Sequence, residues 1–398
     1  MPDSAVLTLN AGSSSLKFAI FTNGERPRRL WSGAIERIGL PGAQFRLSDA
    51  RDTVVREETG NFEDHDTALK RLLFTTEHEA SGVKLVAVGH RIAHGGPDCD
   101  CPELVTPALR ARLQQLTVLA PLHLPANLSG INAVQIARPD LTQIACFDTS
   151  FHHDLPHIAR LSGLPRALQD EGLRRYGFHG LSYEYIVKAL RDANVAVDAE
   201  RIVVAHLGNG TSMCAIRDGK SLETTMGFST IAGLPMGTRS GDIDPGLLLH
   251  LLIDKEMTPE AVSQLLYAES GLLGLSGISR NMQDLLQRPD DKATEAVAYF
   301  CYHARRHLAG LTAALGGIER LVFTGGIGAN APQVRAGICS GLGYLGIVLD
   351  KTANLSGDPV ISSRSAGVTV EVRQTDEEAM IAGHVHDFMA SQPMAREA

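Results

Sequence analysis

The chain has 398 residues, 44% of them hydrophobic and 21% charged, with a formal net charge of −8. That negative balance argues against a nucleic-acid binder, whose footprint is a basic surplus. Any anionic ligand must therefore be met by local cations, and the length suits two domains better than one core.

Residues 6–21 read VLTLNAGSSSLKFAIF, an apolar run broken by a small polar cluster and then resumed, which predicts a β-hairpin. Gly12 and the serines at its tip let backbone N–H groups converge on phosphate oxygens. Ser13 and Ser15 add hydroxyls, Lys17 adds a point charge, and Asn10 offers an amide oxygen to Mg²⁺. A plain polar hairpin tip satisfies the same pattern, and no helix follows as it does after a G-x-x-x-x-G-K-[ST] loop. Helical spacing then marks 63–74 (EDHDTALKRLLF) and 107–120, with strands at 84–90 (KLVAVGH) and 143–148 (QIACFD). Arg91 sits just past the first strand, in GHRIAHGG (89–96), and Asp148 ends the second, where a carboxylate can face a cleft. An arginine so placed is a candidate anion clamp, because its planar fork matches carboxylate and phosphate oxygens. Structural ion pairing is the alternative. His152, His153 and His157 read as a surface segment near a turn rather than a metal cluster.

Residues 202–220 (IVVAHLGNGTSMCAIRDGK) repeat the opening device: strand, Gly/Asn turn, strand, tight turn. Two copies about half a chain apart predict duplicated domains around a shared cleft. HLGNG (206–210) carries no lysine but permits close backbone approach, which suits outer phosphates. MGTRSGDIDP (236–245) sets Arg239 in a glycine-rich turn, and RRYGFHG (174–180) sets His179 beside apolar residues. A long helix is predicted at 293–315 and a strand at 320–326. The glycine cluster VFTGGIGAN (322–330) precedes a helix-like PQVRAGI, so a flat ring or ribose can rest on bare backbone there. Strands alternating with helices imply α/β layers. Cys99, Cys101, Cys146, Cys214, Cys301 and Cys339 are scattered without CxxC pairs, so reduced thiols in a cytoplasm are expected. The apolar segment LLLHLLI (247–253) is too short to span a bilayer, and no signal peptide or membrane association is expected.

The ordered set LNAGSSSLK, GHRIAHGG, LAPLH, FDTSFH, RRYGFHG, HLGNG, TMGFS, MGTRSGDIDP, SGLLGLSGIS, FTGGIGAN and TDEEAMIA, spanning residues 9–382, closely resembles the acetate kinase family. The resemblance implies an α/β fold of two duplicated actin-like (ribonuclease H-like) βββαβαβα domains flanking a nucleotide cleft. Residues 1–149 plus 381–398 would form the N-terminal domain, and 150–380 the C-terminal domain with the adenosine site and dimer surface. It also implies reversible transfer of the ATP γ-phosphoryl group to acetate, giving acetyl phosphate and ADP, with Mg²⁺ or Mn²⁺, by a cytoplasmic homodimer.

Carried over residue by residue, Asn10 and Glu377 resemble the metal-site residues, and Lys17, Ser13 and Ser15 belong to the phosphate loop. Arg91 resembles the residue that holds the acyl carboxylate. Asp148 occupies the position of the catalytic acid/base, and His179 and Arg239 those that stabilise the transition state. His206, Leu207, Gly208, Asn209 and Gly210 match one nucleotide-contacting segment. Asn281, Met282 and Gln283 match a second, and Gly326, Ile327, Gly328, Ala329 and Asn330 a third. A carboxylate acceptor is already ionised at neutral pH, so orienting Arg91 or an Mg²⁺-bound water is the expected task of Asp148, rather than proton abstraction.

Departures from the family pattern fall in the acyl pocket. Ala93 stands where the family usually has Val, beside Leu122, Phe178 and Thr230, the last replacing a usual proline. The lost methyl groups leave room for one more carbon, so a propionate kinase is the alternative reading, and a sugar or polyol kinase a remoter one. Leu124, Leu181, Tyr183, Ala232 and Ala329 also depart from the pattern, and Ala329 leaves the choice of nucleotide donor open.

Overall fold

The opening alternation closes as a hairpin in the computed structural model, which describes residues 3–12, 14–79, 83–121 and 123–391. Ser13 and Leu122 lie outside the described residues. Strand β1 (Asp3–Gly12) pairs antiparallel with β2 (Ser15–Thr22), with Asn10 opposite Lys17 and Gly12 opposite Ser15. The meander continues through β3 (Arg29–Glu36), β4 (Ala43–Asp49) and β5 (Val54–Gly60). The chain then crosses over, because parallel strands need a connection long enough to return. Strand β6 (Val83–Ile92) lies parallel to β1; after the short β7 (Glu103–Leu104), β8 (Thr142–Phe147) lies parallel to β6. Among the described residues this sheet runs β5-β4-β3-β2-β1-β6-β8-β7.

A second sheet repeats the core of that order. Strands β9 (Ile202–Leu207), β10 (Thr211–Arg217) and β11 (Lys220–Thr224) form an antiparallel meander. Strand β12 (Arg320–Thr324) is parallel to β9, and β13 (Thr369–Val372) is parallel to β12. The order β11-β10-β9-β12-β13 matches β3-β2-β1-β6-β8 strand for strand. The two similar hairpins in the sequence are therefore the starts of two equivalent sheets, and β4 and β5 are an extension of the first.

The chain divides into two compact units, Met1–His153 with Asp376–Ala398, and Asp154–Thr375. These breaks differ from those expected at 149/150 and 380/381, for local reasons. The Thr149 hydroxyl accepts the Gly95 N–H at 3.1 Å, and a 3-10 turn, Ser150–His152, follows with His152 buried. That burial corrects the reading of His152 as a surface residue. At the other end, helix Glu377–Ser391 packs as one body on β1, β2 and β6.

In the first unit, Leu7, Leu9, Phe18, Ile20 and Phe45 form a core with helices His65–Glu79 and Leu124–Ala137. The opposite face buries Ala19 and Phe21 under Ala382. Gly89 permits this close approach: a Cβ there would lie 2.4 Å from Ile381 Cγ2. In the second unit, helix Asp291–Leu315 buries Phe300, Ala304 and Leu308 against Val203, Ala205, Met213 and Phe323. Its N-terminus is capped by Asp290, which accepts from Lys292 and Ala293 N–H, and it ends at left-handed Gly316. Helix Pro245–Ile253 is apolar yet exposed, and among the described residues no helix is long and apolar enough to cross a membrane.

Burial also fixes a pH dependence. His90, on β6, is fully enclosed and bonded to Gln143 Oε1 at 2.8 Å; desolvation pushes its pKa down to about 4, and that of His94 likewise to about 4. Both are neutral when folded, whereas the unfolded chain takes up their protons below about pH 6.5. The stability they contribute is complete above pH 6.5 and lost as pH falls toward 4, by roughly 3 kcal/mol for His90 at pH 4. Unfolding measured across this range should show that decline, and His90→Gln should flatten it; an unchanged slope would remove His90 as a cause.

Candidate active site

Arg91 follows the apolar core of β6 and Asp148 immediately follows β8, so two adjacent parallel strands deliver their polar residues to the same end of the sheet. Ligand-binding groups collect at the carboxyl ends of such strands. Arg91 Nε lies 3.1 Å from both Asp148 oxygens, and Nη2 donates to Oδ2 at 2.7 Å. Its remaining nitrogen, Nη1, reaches Glu377 Oε2 at 2.7 Å, from the first turn of the C-terminal helix. Burial alone would lower the Arg91 pKa, but Asp148 and Glu377 together drive it above its ordinary value. Burial and the neighbouring Glu377 charge push the next residue, Glu378, upward. Ala93 N–H donates to Asn127 Oδ1 at 3.0 Å, and Asn127 Nδ2 donates to Ala11 O at 2.9 Å. Asn127 thus ties the end of β1, where Asn10 lies, to the segment carrying Arg91 and Ala93. Lys17 is exposed on β2, and Ser15 sits at its start.

The second unit holds a separate cluster. His179 adopts φ 60°, ψ 26°, a left-handed conformation unusual for a non-glycine residue, immediately before helix Gly180–Asp192. Its Nδ1 is 2.8 Å from Ser212 Oγ, and the Tyr183 hydroxyl bonds the same Ser212 oxygen. His206 stacks on His179 with ring centroids 4.4 Å apart, and its Nδ1 is 2.8 Å from Ser182 Oγ. A Cβ at Gly210 would lie 3.2 Å from His179 Nε2 and 3.7 Å from Arg239 Nη1. The two side-chain nitrogens therefore converge on the bare backbone of the 206–210 turn.

Arg239 differs from Arg91 in its surroundings. Its Nη1 contacts Thr230 O at 3.3 Å and Met236 Sδ at 3.7 Å. No carboxylate pairs with it among the described residues. Burial lowers its pKa, opposed by Tyr267. A desolvated guanidinium without a counter-charge creates a strong local preference for an anion. Phe178 is buried with Met226 and Met236 behind this segment, and Thr230 is half-buried.

A cavity of about 790 Å³ opens in the same unit. It brings together Gly208 and Asn209, Asn281 to Gln283, and Gly326, Ile327 and Asn330, three segments far apart in sequence. Leu207, Gly328 and Ala329 are buried behind the lining, His206 is engaged by Ser182, and Gly210 belongs to the His179–Arg239 cluster. Leu286, Gln287, Ala331 and Gln333 complete the wall and escaped the sequence reading. The glycine cluster also differs from expectation: the strand stops at Thr324, and Gly325–Asn330 is already helical. Gly325 makes the corner at φ +76°, where a Cβ would meet Leu207 O at 2.6 Å.

The donor chemistry suits Mg²⁺. Asn10 and Glu377 offer hard oxygens, and Mg²⁺ takes one or two protein oxygens while keeping waters and substrate phosphates. Among the described residues no three His, Cys, Asp or Glu side chains gather into a metal cage of their own.

The model of the acetokinase family matches residues 5–383. An acetate kinase of Rhodopseudomonas palustris strain TIE-1 is 48% identical over 390 residues, covering 96% of this chain and 97% of that relative. An acetate kinase structure from Porphyromonas gingivalis matches with a TM-score of 0.87 at 36% identity, over 97% of this chain and 99% of that one. A propionate kinase structure from Francisella tularensis matches with a TM-score of 0.88 at 34% identity, over 96% and 98%. Since both sheets and both polar clusters fall inside a match of this extent, the chain belongs to the acetokinase family.

Proposed function

We propose that this chain transfers the γ-phosphoryl group of ATP reversibly to acetate, giving acetyl phosphate and ADP. The observation that carries this reading is Arg239, a desolvated guanidinium without a carboxylate partner among the described residues, set beside His179 over Gly210. An acceptor carboxylate oxygen attacks the γ-phosphorus as its bond to the β,γ-bridging oxygen breaks, and ADP leaves with that electron pair. Negative charge spreads over the three oxygens of the transferring group, and fixed donors that meet it there lower the barrier. Arg239 supplies two N–H arms. With Tyr183 donating to Ser212 and Ser212 to Nδ1, His179 presents Nε2–H as a further donor.

The first unit binds the acceptor through Arg91, and the second binds adenosine in the cavity lined by Asn281, Gln283 and Asn330. Lys17 and Ser15 attend the phosphates. Asn10 and Glu377 would hold Mg²⁺ or Mn²⁺, which offsets charge on the β- and γ-phosphate oxygens when bound. Exposed Leu247, Leu249 and Ile253 on helix Pro245–Ile253 support a homodimer through the second unit. The setting is cytoplasmic, with neither nucleic acid nor membrane as a partner.

Asp148 engages Arg91 through both oxygens, which favours orienting the guanidinium over moving a proton. Asp148→Asn is then expected to lower kcat/KM by up to about 100-fold through misplacement of the acceptor, with no change in the shape of the pH–rate profile. Loss of an acidic limb present in the parent enzyme would instead assign proton transfer to Asp148.

The test of the function is kcat/KM for acetate and propionate with MgATP, trapping the acyl phosphate with hydroxylamine. Hydroxamate from either acid is expected; its absence from both would overturn the carboxylate-kinase reading. Propionate is favoured as an alternative substrate by half-buried Ala93. One methylene in a pocket changes selectivity by about 10–200-fold, so Ala93→Val should penalise propionate more than acetate. Equal effects on the two acids would dismiss Ala93 as the determinant.

A further inference from the structure

We infer that Arg335 is a positioning residue for nucleotide binding, holding the segment 326–330 against the cavity from behind; this rests on the nucleotide reading of that cavity. Arg335, on helix Pro332–Cys339, is 1% exposed, and no carboxylate pairs with it among the described residues. Its charge is met by neutral oxygens instead. Nη1 donates to Gly328 O at 2.9 Å and Ala329 O at 2.8 Å. Nε donates to Asn354 Oδ1 and Nη2 to Asn354 O, each at 2.8 Å. Asn354 is itself buried, and its Nδ2 donates to Pro332 O at 2.9 Å.

The two carbonyls that Arg335 takes are in the last turn of helix Gly325–Asn330, where backbone acceptors lack partners within the helix. A six-residue helix cannot hold its own shape. The clamp supplies the missing donors on the inner side, while Gly326, Ile327 and Asn330 of the same turn face the cavity. Asn330 Nδ2 adds a bond to Gly326 O at 3.0 Å, closing the turn from the cavity side. Only a planar fork can serve two adjacent carbonyls and Asn354 at once; a lysine ammonium is a single point donor. Asn354 fixes the far end of the guanidinium, so the position of the turn is set jointly by Arg335 and helix Lys351–Ser356.

The experiment is calorimetric binding of MgADP to the parent protein, to Arg335→Lys and to Asn354→Ala, together with KM for ATP and for acetate. Both variants should bind MgADP about tenfold more weakly and raise KM for ATP, while KM for acetate stays within about twofold. Unchanged MgADP affinity, or a loss shared equally by ATP and acetate, would overturn the inference and leave Arg335 a core residue only. If Arg335→Lys fails to fold by circular dichroism, Asn354→Ala decides, because it keeps both Nη1 contacts and removes the Nε acceptor. Failure of the parent protein to bind MgADP would instead overturn the nucleotide reading itself.

Discussion

Arg239→Ala is expected to lower kcat by about 10³-fold or more, with little change in KM for ATP or acetate. The argument is electrostatic. Arg239 has no carboxylate to neutralise it among the described residues, and burial already lowers its pKa. Its field is therefore unspent until negative charge develops nearby, and an interaction realised mainly in the transition state appears in kcat. Lysine should restore little, because Arg239 acts as an oriented fork. The same absence of a partner predicts that Arg239→Ala unfolds no earlier than the parent, since nothing charged is stranded by the change. Steady-state kinetics with a thermal melt check both halves. A loss confined to KM would mean that Arg239 merely holds the ground-state anion.

Arg91→Ala should behave in the opposite way, losing stability as well as activity. Removing this guanidinium takes the shared cation from Asp148 and Glu377, whose side chains are only 7% and 15% exposed. Breaking a buried pair from one side typically costs about 3–5 kcal/mol. The chain has one tryptophan, and Trp31 packs against the core of the first unit, so its fluorescence in urea reports that unit. A two-unit chain need not unfold in one step, which makes a local probe necessary. A parent-like midpoint in urea would show that the two carboxylates find other partners.

Much of this architecture was legible because it rests on local pattern. The hairpins at 6–21 and 202–220 announced themselves by alternation and turn chemistry, and the helix expected at 293–315 by its spacing, although its start at Asp291 and its Asp290 cap did not. Residues whose task depends on distant contacts were not legible. Ser212 looks like an ordinary strand residue until His179 and Tyr183 meet its hydroxyl across 33 and 29 residues of sequence. Arg335 reads as a surface arginine, since nothing local reveals the Asn354 that receives it. Leu286 and Gln287 could have been found: they lie one turn beyond Asn281 to Gln283, where helical neighbours share a face. Strand β5 carried weak alternation, because its side chains are largely exposed, whereas β4 alternates buried Ala43, Phe45 and Leu47 with exposed Gln44 and Arg46.

The C-terminal helix gives the protein a schedule. Its strands β1, β2 and β6 leave the ribosome early, yet Ile381, Ala382 and Val385, which cover Gly89 and Phe21, are made after all of Asp154–Thr375. At about 5–20 residues per second, roughly ten to forty-five seconds separate β8 from its covering helix. During that interval one face of the nascent sheet is bare and Arg91 lacks one of its two carboxylates. The later, uninterrupted unit can close on itself first, so the half of the enzyme that is begun first is finished last.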